Sequence, residues 1–384
     1  MPLETGAGQM PSAAVPVIEL QPFHCPFPPA INPQAEEIER ECIAWIDRFE
    51  LYGGAEQRER LIGTRAAEIY ARALPTADPR RVADVAKWLY WGFATDDLYY
   101  DNGPTSRRAA DFLALGAPLV RLSEEPRAAF AFELPYNDAL RDLTRAVLRH
   151  ATSAQQIEWA HTARAWFFGM AWDVANAERG VPPSLNEYLA MRMHTGGLAS
   201  WTTTLNIANG IELAPAQVAS GAVRALVEAW STFCLLLNDL MSFAKETRNG
   251  DSSSNVVTVV AHEHGCAPHE AIAEAHAICD RIATLFLALR ARLLAEAEVR
   301  RDDAMRRFLA SLAHTWRGIL DWGFRAPRYV TGDGPDAPPL QAFPGWAQTP
   351  RECSLEPLPH RAIAWWWEEL DLSANAHAPI GAAA

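Results

Sequence analysis

An all-α fold is predicted by three features of this 384-residue chain. Apolar residues recur at three- and four-residue spacing through most of its length. No stretch alternates apolar and polar residues for as long as a strand needs. Caps and glycines mark several helix boundaries. Hydrophobic residues make up 49% of the chain, enough for the core of one large domain.

The elements follow in order. Residues 1–34 are proline-rich and end in Phe23-His-Cys-Pro-Phe-Pro-Pro, with Ile31-Asn-Pro after it. Proline lacks the amide donor and clashes inside a helix, so this segment is predicted as an extended arm. Residues 35–331 read as helix after helix and form the main domain. Val82, Val85, Trp88, Leu89 and Trp91 predict a buried helix. Ser184 and Glu187 form a capping box before Tyr188 and Leu189, and Asn209-Gly210 closes that helix. Val223, Leu226, Val227, Trp230, Cys234, Leu237, Met241 and Ala244 trace the buried stripe of a long helix that ends at Gly250. Met305, Leu309, Leu312, Trp316, Ile319 and Gly323 repeat the rhythm, and Asp302-Asp303 suits the dipole at that helix's start. Residues 332–384 form a Pro/Gly-rich tail whose segment Trp365-Trp-Trp-Glu-Glu-Leu370 is expected to pack on the domain as a short amphipathic helix.

Composition narrows the function. The formal net charge of −13 would repel phosphate, and no basic stripe offsets it, so nucleic acid is excluded as a partner. An anionic substrate would need bridging cations. The 6 cysteines lack paired spacing and fit a reduced, cytoplasmic protein. Neither a signal peptide nor a membrane span is expected. The 14 Trp and 15 Phe fit an aromatic-lined cavity.

Two constellations carry chemistry. In Asn238-Asp-Leu-Met-Ser242-Phe-Ala-Lys-Glu246, three oxygen-bearing side chains recur at i, i+4 and i+8. They stay on one face of a helix and interrupt an apolar run. Such groups are costly to bury unless something satisfies them, and they are the hard ligands that Mg²⁺ takes. The second constellation is Phe93-Ala-Thr-Asp96-Asp97-Leu-Tyr-Tyr-Asp101, at the end of the Val82–Trp91 helix. Its carboxylates either repel one another until cations neutralise them, or are solvated where the helix surfaces. In α-helical geometry Asp97 and Asp101 share one face, and Asp96 and Tyr100 share another.

These residues resemble the bacterial class I terpene synthases (terpene cyclases). In that family an aspartate-rich motif and an Asn-Asp-x-x-Ser-x-x-x-Glu motif face each other across an α-helical barrel. The resemblance implies that Asp96, Asn238, Ser242 and Glu246 hold three Mg²⁺ ions, with Asp97 and Asp101 behind them as partners of arginines. It implies that Arg192, 46 residues before Asn238, senses the substrate diphosphate, with Thr195 as linker and Gly196 as effector. Lys245, Arg328 and Tyr329 would contact the diphosphate. Gly318 and Trp322 also fit the pattern. One departure stands out: Tyr100 sits where the commonest first motif has its third carboxylate.

The activity so implied is Mg²⁺-dependent ionisation of a linear isoprenyl diphosphate, followed by cyclisation of the carbocation. Aromatic faces can stabilise migrating positive charge. Phe93 is the first candidate, Trp316 and Trp322 the next, with Phe167, Phe168 and Trp201 behind them. Farnesyl diphosphate is the expected substrate and geranylgeranyl diphosphate the alternative. Gly92 and Gly169 would enlarge the pocket if they line it. More distant readings are a chain-elongating prenyl diphosphate synthase, expected to carry a second aspartate-rich motif, and an inactive partner-binding scaffold. Glu158 and His161 occur once, whereas a di-iron carboxylate bundle uses such a pair twice. The assembly is left between monomer and homodimer.

Overall fold

The computed structural model describes residues 18–100, 103, 105–130, 136–249, 254–330, 341 and 343–376. Asp101 lies outside them. Local sequence sets the helix ends. α1 (Ala35–Phe49), α2 (Ala55–Gly63) and α3 (Ala66–Ala73) lead into α4 (Pro79–Thr95). Asp78 caps α4 by accepting from the Arg80 and Arg81 amides, with Pro79 in the first turn, where its missing donor costs nothing. α5 (Ala109–Glu124), α6 (Asn137–Leu148) and α7 (Ser153–Arg179) follow. The Ser184–Glu187 capping box opens α8 (Leu185–Thr195), and Gly210 closes α9 (Leu198–Asn209) in the left-handed region. α10 (Pro215–Val218) precedes the long α11 (Gly221–Asn249). α12 (Val256–His264), α13 (Pro268–Arg300), α14 (Asp303–Gly323), α15 (Pro327–Val330) and α16 (Trp365–Ala376) complete the set. Asp302 caps α14 through the Met305 amide.

The helices pack as α11 on α13, α3 on α14 and α4, α7 on α5, α8 and α9, and α11 on α8 and α14. They surround a cavity lined from α4, α7, α8, α9, α11 and α14. Outside it lies the core, where Tyr70, Trp159, Tyr188, Trp230, Phe233 and Phe286 are completely buried. Each of the two phenylalanines contributes about 1.5–3 kcal/mol by its burial.

The described parts of both tails pack on the helical domain. A parallel pair joins β1 (Phe23–His24) to β2 (Trp346–Ala347), in register Phe23 with Trp346 and His24 with Ala347. The proline-rich arm is pinned further on, where the Asn32 amide donates to the Leu74 and Ala77 carbonyls. The Trp365 segment forms α16 and packs on α11 and α13. The Trp366 indole donates to Glu228 at 2.8 Å. No helix among the described residues is long and apolar enough to cross a membrane.

Candidate active site

Asn238, Ser242 and Glu246 lie on successive turns of α11 and all line the cavity, which has a volume of about 1170 Å³. Their polar atoms are held in place. Asn238 Oδ1 accepts from Arg192 at 3.1 Å and its Nδ2 donates to the Tyr329 hydroxyl at 2.9 Å. Ser242 Oγ donates to the Asp239 carbonyl at 3.3 Å. Glu246 accepts from Asn255 at 2.8 Å. Burial, then the nearby Asp239 charge, push the Glu246 carboxyl up to about 7.

Asp239 faces away from the cavity. It is 1% exposed and accepts from the Tyr188 hydroxyl at 2.5 Å and from Arg192 at 2.7 Å. Burial raises its carboxyl, while Arg192, Tyr188 and the Val256 amide pull it down. Burial opposes the Arg192 charge too, but Asp239 more than offsets it and the guanidinium stays charged. Arg192 is thus built in from α8: it touches Asp239, Asn238 and, at 2.9 Å, Thr195 Oγ1. Tyr188, one turn earlier on α8, completes the clamp.

The junction of α8 and α9 is built on two glycines. A Cβ on Gly196 would stand 1.9 Å from Leu235, and Gly197 has φ +67°, a conformation that favours glycine. The Trp166 indole holds the break by donating to the Thr195 carbonyl at 3.0 Å. Thr195, Gly196 and Gly197 line the cavity.

Across the cavity, α4 changes character at the aspartates. Asp96–Tyr100 is a π-helical turn, so the α-helical face assignment made from sequence fails there. Its i→i+5 bonding replaces the i,i+4 alignment, and Asp96, Asp97 and Tyr100 all line the same cavity. Arg328 reaches Asp97 at 3.5 Å and sits 4.9 Å over the Phe93 ring. Tyr100 donates to Asp173 of α7, whose other oxygen accepts from Ser254 at 2.6 Å. Asp173 therefore ties the aspartate turn to the segment after α11. This carboxylate was invisible in the sequence, because both its partners are more than seventy residues away.

Aromatic residues divide into two sets. Phe93, Trp88, Trp201 and Trp322 line the cavity. Phe93 and Trp322 lie nearly parallel, 6.4 Å apart, and Trp322 is fixed by donating to the Thr64 carbonyl at 2.7 Å. Trp316 corrects the sequence reading: it does not line the cavity but packs in the core among Phe27, Phe233 and Phe286. Six residues before Trp322 on a 3.6-residue helix, it points about 120° away. Phe168 is largely exposed, and Phe167 stacks on Phe112 beside a separate small apolar pocket. Gly92 lines the cavity, and a Cβ added there would meet nothing within 4 Å, whereas Gly169 is packed against His194 and Thr195. Glu158 and His161 are not among the lining residues.

The donor set suits a hard cation. Asp96, Asn238, Ser242 and Glu246 offer only oxygen, and burial of Glu246 leaves a carboxyl that a cation would hold ionised. Among the described residues, no group of three His, Cys, Asp or Glu side chains is placed to hold a metal; the mixed Asn/Ser/carboxylate set is the candidate. Lys245, Arg192, Arg328 and Tyr329 line the same cavity.

The model of terpene synthase family 2, C-terminal metal binding, matches residues 87–284. A relative from Streptomyces pratensis, named (+)-(1(10)E,4E,6S,7R)-germacradien-6-ol synthase, is 34% identical over 89% of this chain and 94% of its own length. A second, from Streptosporangium roseum, is named 4-epi-cubebol synthase ((2E,6E)-farnesyl diphosphate cyclizing). It is 27% identical over 82% of this chain and 93% of its own. The crystal structure of SVS_A2, a protein from ancestral sequence reconstruction, superposes with a TM-score of 0.80 at 34% identity, covering 91% of this chain and 99% of that one. With the cavity, the oxygen-donor helix and the facing aspartate turn in one α-helical fold, the chain belongs to the terpene synthase family and is a bacterial class I enzyme of it.

Proposed function

We propose that this chain is a Mg²⁺-dependent cyclase of farnesyl diphosphate. The observation that carries the reading is one end of one cavity. It holds an oxygen-donor set on α11, a facing aspartate turn, and the cationic and hydroxyl donors Arg192, Lys245, Arg328 and Tyr329. Asp96, Asn238, Ser242 and Glu246 would hold the Mg²⁺ ions, three by family resemblance, which supply charge stabilisation to a departing diphosphate.

The chain's own residues do the rest. Arg192 and Arg328 present forked donors suited to phosphate oxygens, and Tyr329 adds a hydroxyl already oriented by Asn238. Arg192 can report diphosphate arrival to Thr195, which it touches, and so to Gly196 beside it. Leu89, Trp88, Phe93, Trp201, Leu235 and Ile319 give the remainder of the cavity an apolar wall that excludes water from a carbocation. Phe93 and Trp322 present ring faces there. Asp97, which accepts from Arg328 at 3.5 Å, would hold that arginine toward the diphosphate.

The farnesyl assignment draws on the substrate carried in the cubebol-forming relative's name. A geranylgeranyl substrate is the second reading, favoured by the open space beside Gly92. Chain elongation is disfavoured because the second aspartate-rich motif it would carry is replaced here by Asn238-Asp239. The test is incubation of the purified protein with C10, C15 and C20 isoprenyl diphosphates and Mg²⁺, with analysis of the organic extract. A cyclic C15 product is expected. A cyclic product from C20 alone would replace the substrate, and no cyclic product from any would sink the cyclase reading.

A further inference from the structure

The tail beyond α15 has no role in the reading above, yet one of its side chains reaches the site's supporting framework. Gln341 is 1% exposed. Its amide nitrogen donates to the Met241 carbonyl and lies 3.5 Å from the Tyr329 carbonyl. Met241 stands on α11 between Asn238 and Ser242. Tyr329 is already joined to that helix on its hydroxyl side, through Asn238 at 2.9 Å. One amide thus closes a ring of contacts: Gln341 to Met241, along α11 to Asn238, across to the Tyr329 side chain, and through its backbone back to Gln341.

Gln341 is itself held from outside. Phe343 lies 4.8 Å from Phe324 and 5.2 Å from Trp346. The Arg317 guanidinium covers Trp346 at 4.3 Å and also donates to the Phe27 carbonyl of the arm at 3.0 Å. β2 then pairs with β1, with the Phe23 amide donating to Gly345 at 3.1 Å. A buried side-chain amide can bridge two carbonyls because it has two donors and each carbonyl has a spare lone pair. Removing it would leave both carbonyls short of a buried partner.

We propose that Gln341 is a positioning residue for the diphosphate end of the cavity. The arm and tail brace it, and it fixes the Arg328–Tyr329 pair against the ligand-bearing helix. The inference rests on the functional reading above. It assigns the tail a part in binding rather than only in packing.

The test uses the full chain and inorganic diphosphate with Mg²⁺ as the probe, measured by calorimetry beside steady-state turnover. Gln341→Met keeps length and burial but has no donor. Gln341→Glu keeps the shape and turns an acceptor toward two carbonyls. Gln341→Met is expected to weaken diphosphate binding about tenfold and to lower kcat/KM by a similar factor, with a native circular dichroism spectrum. Gln341→Glu is expected to lose more of both at pH 8 than at pH 5, where a protonated carboxyl can donate again. A folded Gln341→Met with unchanged diphosphate affinity would overturn the proposal, even if it melted earlier, because that is what packing alone predicts. Should Gln341→Met fail to fold, Gln341→Glu decides through its affinity relative to the wild type at the same pH, and an equal ratio at the two pH values would overturn it. A wild-type chain that binds no diphosphate with Mg²⁺ would instead overturn the functional reading beneath it.

Discussion

Trp322 and Trp316 belong to one helix and are both almost fully buried, yet they do different work. Trp322 stands at the cavity wall, parallel to Phe93 and edge-on to Tyr329 at 5.4 Å. Trp316 stands behind that wall, packed edge-on against Phe233 at 4.7 Å. The same division runs through the molecule. One side of each inward helix faces the cavity and carries donors that must be oriented. The other side faces the core and must fill space. A substitution on the first side should change chemistry at nearly constant stability, and on the second the reverse.

The sharpest test of the cavity side is the ligand helix. Asn238→Ala and Glu246→Ala are each expected to cut turnover by at least about a hundredfold, the scale seen when one preorganised electrostatic contact is lost. The circular dichroism spectrum should stay native, since alanine favours a helix interior. Initial rates with saturating Mg²⁺ check this. Activity within a few-fold of wild type in both variants would move the cation site elsewhere in the cavity.

How much of this was readable beforehand follows the same division. Asn238, Ser242 and Glu246 were legible because oxygen donors at four-residue spacing break an apolar stripe, and a helix keeps them together by local geometry. Arg192 and Gly196 entered only through the family resemblance, which expects an arginine 46 residues before Asn238. Asp173 was not: its contacts with Tyr100 and Ser254 arise only when α7 packs beside both ends of the site. Tyr188 left a faint signal, one helical turn before Arg192 on the same face, but its hydroxyl reads as an ordinary core tyrosine until Asp239 is placed against it. The π turn at Asp96 defeated α-helical phase arguments. Trp316 shows the deeper limit. Periodicity marks which side of α14 is buried, but burial against core and burial against cavity leave the same apolar pattern.

Paired variants of the two tryptophans sharpen the contrast. Trp316→Ala should lower stability by about 3–5 kcal/mol through the cavity it leaves in packed core. Its product ratio should be unchanged at temperatures where it remains folded. Trp322→Phe keeps an aromatic face but shifts it and loses the bond to Thr64. It should redistribute products while costing less than about 2 kcal/mol, a packing change plus one hydrogen bond. Denaturant midpoints and product profiles read the two effects separately. A changed product ratio in Trp316→Ala would show that the core set reaches the reacting chain after all.

The mildest effect expected lies at the seam between the arm and α13, outside the cavity lining. His276 is 3% exposed, its ring centroid is 4.9 Å from that of Phe23 in β1, and its Nε2 has no partner among the described residues. Burial, and then the Arg351 charge, lower its pKa to about 3. The unfolded imidazole titrates near 6.5, so the folded state favours the neutral ring. Above about pH 6.5 neither state binds the proton and the stability is complete. Below it the unfolded chain takes up a proton that the folded chain refuses until about pH 3, and stability falls across that window. Between pH 6.5 and 5 the loss from this one group reaches about 2 kcal/mol. Thermal melts of the wild type and of His276→Phe over pH 5–7 check it. The wild-type midpoint should fall more steeply, because phenylalanine keeps the ring against Phe23 and has no proton to gain. Parallel profiles would remove His276 as the cause. Converging ones would show that the core side of the molecule, silent in the reaction, sets its tolerance of acid.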